Sequence, residues 1–382
     1  MRVSSTGGVL YKNKNNNNNN NNDNYIINLL KGNSNRALSM GHRKYSAPRR
    51  GSVAFRPRAR AKSLEPRVRT WPTVRTEKVK LIGFAGFKAG EIDVLTIDDR
   101  EKTPNFGKQL MNPATVIVCP PIRIIGIRGY AQDYYGKHAI FDVYGKDPIK
   151  ELDRKFPIKV TDEEGFAKAE QALNSVSSIM AIVAVLPYEA NISQKKPFVF
   201  EVALSGGDIR QQYEYLKGLL GKQVRASEVF QSGQYIDVFG ITRGKGVEGP
   251  ITRFGVKRKQ HKSRKSVRAV GTLGPISPAV VMYTVARQGQ RGFHQRTEYN
   301  KRILMISNTE DKDTGSDTSI NPEGSIINPS GGFKHFGFVR GEYLVLRGSV
   351  PGVPKRLLKL RQPIRSHQRK IIEPKILEVI VQ

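Results

Sequence analysis

The amino-acid sequence predicts a mainly β protein: a barrel or closed sheet carrying an α/β insertion, with two long basic extensions. Three observations predict it. Short apolar, β-branched runs bounded by Gly, Pro and Asp recur from Lys80 to the end of the chain. Helical spacing is confined to two segments lying between strands, which is the pattern of an insertion. Two stretches, Met40–Leu64 and Gly249–Thr297, carry eight and eleven Lys or Arg respectively and no Asp or Glu.

The first strands are expected at Leu81–Phe87 and Ile92–Ile97, joined by a glycine turn. ATVIVC and IRIIGIRGYAQD supply two more, and HAIFDVYG another. TDEEGFAKAEQAL has an acidic start and apolar residues at Phe166, Ala169 and Leu173, so a helix capped near Thr161 is expected. Strands follow at Ile179–Leu186 and Phe198–Leu204, then a helix at Asp208–Leu219 and a strand at Tyr235–Ile241. Past the second basic stretch, strands are expected at Ile303–Ser307, Tyr343–Arg347, Leu357–Leu360 and Ile376–Val381.

These readings divide the chain into seven segments. Residues 1–39, with eight consecutive asparagines at Asn15–Asn22, cannot bury enough apolar surface to offset ordering entropy and are expected to be disordered. Met40 is the expected biological start. A basic arm follows at 40–76, then a first barrel segment at 77–120, the α/β insertion at 121–222, a barrel strand at 223–241, and the basic loop at 242–301. The closing barrel segment, 302–382, carries a surface insertion at 309–328, in which Ile320–Gly324 and Ile327–Gly331 look like a local duplication.

Charge bounds the function. Lys and Arg number 64 against 33 Asp and Glu, a net +31 with pI near 10.2. Such an excess calls for nucleic acid or an anionic surface. A cationic run is ordinarily a solvated face or a tail, but this loop lies between apolar strands, and neighbouring cations within a Debye length of about 10 Å repel one another. Both basic segments are therefore expected to become ordered on RNA. Arg56-Pro57-Arg58 keeps the arm extended, and Trp71 reads as an anchor holding it to the globular body, in preference to a base-stacking residue.

Expected phosphate contacts are Arg43, Lys44, Arg49, Arg50, Arg56, Arg58 and Arg60 in the arm. The loop would add Arg243, Lys245, Arg253, Lys257, Arg258, Lys259, Lys262, Arg264, Lys265, Arg268 and Arg291. Gln288, Gln290, His294 and Arg296 offer directional hydrogen bonds to bases or 2′-hydroxyls, and Phe293, His294 and Tyr299 offer faces for stacking.

Enzymatic readings fare poorly. Gly244, Gly246 and Gly249 spell GxGxxG, but no ribose-binding acid follows about 20 residues on and Pro250 succeeds the last glycine. Asp98-Asp99 and Glu163-Glu164 are paired only in sequence. Cys119 is the sole cysteine and reads as a buried structural residue; the six histidines show no ligand spacing. No cofactor, metal or small-molecule substrate is expected. With no apolar run near the roughly 18 residues of a membrane span, no membrane partner is expected and a cytoplasmic location is. Rival readings are a nucleotide-dependent enzyme and a DNA-binding or membrane-surface protein.

Several blocks in order, GHRKYSAPRRGS with RTWP, LIGFAGFKAG, VFQSGQYIDVFGITRGKGVEGPITRFGV, ARQGQRGFHQRTEYNKRI, INPSGGFKHFG and GEYLVLRGSVPGVPKRLLKLR, resemble the universal large-subunit ribosomal protein L-three family, archaeal type. The resemblance implies a six-stranded barrel of the translation-protein type with an α/β insertion. It also implies binding to large-subunit rRNA near its 3′ end, neighbouring ribosomal proteins as partners, a ribosome-bound cytoplasmic location and a role early in subunit assembly. The two extensions would reach toward the peptidyl-transferase region. Many archaeal and eukaryotic members carry a tryptophan at the loop tip after Gly-Pro or Gly-Ala; here that place is Ile276.

Overall fold

A computed structural model describes residues 48–73, 76, 78–145, 150–155, 157, 160–263, 265–309, 327–365 and 371–381. The expected leader 1–39, the duplicated Ile320–Gly324 and most of the insertion at 309–328 lie outside these residues. Ala54–Gln382 form one unit and Met1–Val53 another. The sheets and helices of the body belong to the former.

The architecture is mainly β, in several sheets. The strands are β1 (Lys80–Leu81), β2 (Gly83–Ile97), β3 (Gln109–Val118), β4 (Ile122–Asp133), β5 (Gly136–Tyr144), β6 (Ser178–Val185), β7 (Phe198–Ser205), β8 (Gln223–Val224), β9 (Tyr235–Ile241), β10 (Val247–Glu248), β11 (Gly289–Gln290), β12 (Gln295–Asn308), β13 (Glu342–Arg347), β14 (Leu357–Arg361) and β15 (Ile376–Ile380). One sheet runs β14-β9-β12-β13-β3-β2-β15, and β14 also pairs with β2. Every pairing in it is antiparallel, so hydrogen bonding passes from β2 through β3, β13, β12, β9 and β14 and returns to β2.

That return depends on β2, and here the expectation of two strands around a glycine turn is corrected. Gly83–Ile97 is one 15-residue strand. Its beginning pairs with β14 (Phe84 opposite Leu360) and its remainder with β3 (Val94 opposite Asn112), with a bulge between Lys88 and Gly90. Lys88 N donates to Arg356 O at 3.2 Å and Lys355 N to Lys88 O at 2.8 Å, so the ladder persists where a turn would break it. A bulge bends a strand without ending it. Small residues let the interior close: a Cβ on Gly86 would sit 2.6 Å from Ile117 Cγ2 and 2.8 Å from the Val118 carbonyl oxygen.

The second sheet has the order β1-β7-β6-β4-β5, with β8 on β4. β1 falls in the segment expected for the barrel, yet it pairs with β7. Two helices accompany this sheet, Glu163–Ala172 and Ile209–Leu219. Asp162 stands at the N-cap of the first, one residue past the expected Thr161, whose hydroxyl instead accepts Tyr144 N at 2.9 Å. In the second, Gln211 Oε1 accepts Asp208 N at 3.1 Å, and Tyr213 and Leu216 are buried.

The main apolar core is continuous across both sheets, from Phe84, Val94 and Val116 to Val183, Val202 and Leu216. Cys119 lies inside it, as expected, with burial pushing its thiol pKa well up. Ile327 and Asn328, expected at the edge of a surface insertion, are structural: Ile327 is buried, and Asn328 brackets Val339 with hydrogen bonds of 2.8 and 3.1 Å to its N–H and carbonyl.

Charges also fix strands of the first sheet. Asp237 in β9 has no exposed side-chain surface and receives Arg361 Nη2 at 2.5 Å, Asn300 N at 3.1 Å and Ile364 N at 3.3 Å. A buried carboxylate needs this complement of donors, because leaving one unpaired costs several kcal/mol, on the order of 3–5.

Candidate nucleic-acid interface

The basic loop leaves the body as a two-stranded stalk. Thr242 N donates to His294 O at 3.0 Å, Lys245 N to Arg291 O at 3.0 Å and Arg291 N to Gly246 O at 2.8 Å, and β10 pairs with β11. Gly292 is required there: its φ is 72°, and a Cβ would lie 2.0 Å from Arg243 O. Arg356 secures the root, donating Nη1 to the carbonyls of Ile241 and Thr242 at 3.0 and 2.9 Å while its guanidinium lies 5.6 Å from the Phe293 ring centroid. Nothing local in the sequence signals this role, because Arg356 lies more than 60 residues beyond the stalk. A one-turn helix, Pro250–Phe254, follows β10 where the sequence reading places only loop. Proline fits its first turn, where the missing N–H has no helical partner to lose.

The arm lies along this stalk. Ala61 N donates to Phe293 O at 2.8 Å, and His294 Nδ1 lies 2.8 Å from Ala59 O. Arg58 and Arg253 exchange hydrogen bonds with each other's backbone carbonyls at 2.6 and 3.2 Å. Arg253 also donates to Gln290 O at 2.9 Å and to Arg287 O at 3.2 Å. Arg56 Nη1 donates to the Tyr283 and Val285 carbonyls. The buried Phe254 ring has the guanidinium carbons of Arg58, Arg56 and Arg253 at 4.2, 4.6 and 5.1 Å from its centroid.

Further along, Gln295 holds Arg67 through both its N–H and its carbonyl, at 3.2 and 2.6 Å. Arg361 Nη1 donates to Thr70 O, and Trp71 anchors the arm as expected, packed so close to β2 that a Cβ on Gly83 would be 2.6 Å from its ring.

The expectation that both extensions become ordered only on RNA is therefore corrected for their inner portions. Hydrogen bonds and cation–π contacts hold Arg56, Arg58, Ala59, Ala61 and Arg67 against residues 253–254 and 293–295, while Thr70 and Trp71 are held by Arg361 and β2. Repulsion among cations is offset by carbonyl dipoles, aromatic rings and the Glu248 carboxylate paired with Arg291.

Cations nevertheless crowd this joint. Burial first, and neighbouring arginines second, lower the pKa values of Arg58 and Arg253. Burial likewise lowers that of His294, with Arg296, Arg253 and Arg58 acting in the same direction and the Ala59 carbonyl opposing them. His294 is thus neutral near pH 7. With a carbonyl facing Nδ1, that nitrogen carries the proton and Nε2 is an acceptor.

The expected site residues divide into two groups. Arg56, Arg58, Arg253, Gln290, Arg291, His294 and Arg296 are half-buried or buried and engaged within the joint. Arg291 is paired with Glu248 at 2.6 Å, Gln290 Nε2 donates to Gly292 O at 3.0 Å, and Arg296 lies over Phe55. His294 is buried, which corrects its assignment as a stacking face; Phe293 is half-buried beside Arg356, and Tyr299 is exposed.

Arg60, Arg243, Lys245, Lys257, Arg258, Lys262, Lys265, Arg268 and Gln288 are exposed, as are Arg49 and Arg50 in the other unit, and Lys259 is half-buried. Ile276 is 98% exposed. Arg43, Lys44 and Arg264 lie outside the described residues.

The rejected chemistry finds little to build on. Asp98 is held well below the usual carboxylate range by Arg100, and Asp99 is lowered by Arg302, so the two are separate ion pairs. Among the described residues no group of three or more His, Cys, Asp or Glu could hold a metal, and no helix is long and apolar enough to cross a membrane.

Comparison with known proteins matches residues 40–382 to the model of the family described as ribosomal protein L3. The large ribosomal subunit protein uL3 of Caldivirga maquilingensis is 44% identical over 333 residues, covering 84% of this chain and 91% of the relative. Those of Methanococcoides burtonii and Methanoregula boonei are 40% and 38% identical, covering 90% and 89% of this chain and 99% and 98% of the relatives. On this agreement over nearly all of Met40–Gln382, the chain belongs to the ribosomal protein L3 family.

Proposed function

We propose that this protein is a structural, non-enzymatic constituent of the large ribosomal subunit that binds large-subunit rRNA through its arm and loop. The observation that carries the reading is the partition of the basic residues. The inner cations build a joint between two extensions, whereas those of the distal loop, Lys257, Arg258, Lys262, Lys265 and Arg268 among them, face outward with no acid from Gly249 to Thr297 to balance them. A surface of that kind suits a phosphate backbone. Binding near the 3′ end of that rRNA, support of early assembly, and a loop tip at Ile276 reaching toward the peptidyl-transferase region belong to the same proposal, as do neighbouring large-subunit proteins as partners and a ribosome-bound, cytoplasmic location. So does closure of the β2–β3–β13–β12–β9–β14 circuit as the six-stranded barrel, with β4–β8 and their helices as its insertion.

Sucrose-gradient fractionation of a lysate tests the reading. The protein should sediment with large subunits and move to lighter fractions when RNase removes the rRNA. A protein that stays in the soluble fraction at low salt, away from subunits, would refute it.

A further inference from the structure

The joint between arm and stalk encloses a cleft of about 410 Å³. Six cationic side chains line it: Arg58, Arg243, Lys245, Arg253, Arg291 and Arg296. No carboxylate does. The nearest acid in sequence, Glu248, is paired with Arg291 and does not line the cleft. Arg58 contributes from the arm and the other five from the loop. Arg58 Nε is buried with no hydrogen-bond partner. Phe254 and backbone carbonyls balance part of this charge, but they bring no net negative charge.

From this arrangement we infer that the cleft is a specific phosphate site, and that one phosphodiester of bound RNA, seated between Arg58 and the stalk cations, locks the arm to the loop. The inference rests on the RNA-binding reading and adds a coupling to it: the two extensions grip RNA as one element. Arg253 and Arg291 are committed to backbone carbonyls and to Glu248, so the donors left for phosphate oxygens are those of Arg58 and of the exposed Arg243 and Lys245, and His294, neutral and bonded to Ala59, adds no further repulsion. With the anion absent, the cations favour a fraction of molecules in which the arm has lifted away. Occupancy closes that fraction by binding only the docked form.

The test uses full-length protein and inorganic phosphate as the probe, against chloride at matched ionic strength. Limited trypsin cleavage in the segment 56–62 reads the lifted arm. At a phosphate concentration about ten times its dissociation constant, cleavage should slow about tenfold. The double variant R243Q/K245Q, which alters two exposed side chains, should respond to phosphate no more than to chloride, while K102Q/K108Q, two exposed lysines between β2 and β3 that do not line the cleft, should respond as wild type. Circular dichroism checks that both fold. Equal effects of phosphate and chloride on wild type, or a full phosphate response in R243Q/K245Q, would overturn the inference. Filter binding to a large-subunit rRNA fragment separates the two claims: retained binding without a phosphate response removes the locking site alone, whereas absent binding removes the RNA reading itself.

Discussion

Lys359 in β14 donates its ammonium to Glu65 of the arm at 2.9 Å, and the ammonium also lies 4.2 Å from the Phe200 ring centroid. Glu65 is the sole acid between Met40 and Thr76, so the arm's one carboxylate is committed to the body, where it neutralises a buried cation. Burial lowers the Lys359 pKa and Glu65 opposes that shift. Glu65→Gln keeps the shape and removes the charge. Because Glu65 retains some solvent access, the expected loss is below that of a fully buried pair, about 1–3 kcal/mol. Urea denaturation of E65Q should show it, and an unchanged midpoint would mean that water already serves Lys359.

Gly83 and Trp71 give a second test, with a built-in reporter, since Trp71 is the only tryptophan. A Cβ at position 83 would come within 2.6 Å of the indole and 3.2 Å of Val202 Cγ1. Overpacking of this kind typically costs about 1–3 kcal/mol. In G83A the indole should be displaced, giving red-shifted emission and faster proteolysis of the arm. Emission identical to wild type would show that the ring can shift without leaving its seat.

The distal loop should act through charge alone. Replacing Lys257, Arg258 and Lys259 by glutamine removes two exposed cations and a half-buried one from a segment without regular secondary structure. The fold should be indifferent, while the slope of log affinity for rRNA against log salt should fall by about two, at roughly 0.7 for each phosphate no longer neutralised. R253Q should behave differently, losing stability as well as affinity, because its guanidinium ties the arm to both sides of the stalk. Filter binding across a salt series with parallel thermal melts distinguishes them; a slope unchanged by the triple variant would place that segment away from RNA.

Those contrasts mark how far the chain is legible in one dimension. β9 is expected at Tyr235–Ile241 and is found there, because apolar residues run between clear turn signals. β2 escapes such a reading because its glycines serve a bulge and close packing, features that resemble a turn when only the sequence is visible. The basic residues are recognisable as a class. Their division into joint and surface is not, since Arg58 meets the Arg253 carbonyl across 195 positions and no local pattern encodes such a pairing. β12 begins at Gln295, inside the segment expected to be loop, because its charged residues alternate with little apolar content until Ile303. It is held instead by its ladder with β9, Gln295 opposite Ile241.

His294 makes the joint sensitive to acid. Burial and three arginines hold its folded pKa below the ordinary value of about 6.5, so the unfolded chain takes up a proton first as pH falls. Between the unfolded and folded pKa values the unfolded state therefore binds more protons, and stability rises with pH. The neutral ring's contribution is fully present above about pH 6.5 and is lost as pH falls through the folded value. His294→Asn keeps an N–H able to reach Ala59 O but cannot titrate, so its stability should be flatter between about pH 7 and 5 than that of wild type. Urea melts at several pH values check this, with arm proteolysis followed in parallel. If wild type and H294N lose stability in step over that window, the acid sensitivity lies in other groups, and His294 is already solvated enough to titrate normally.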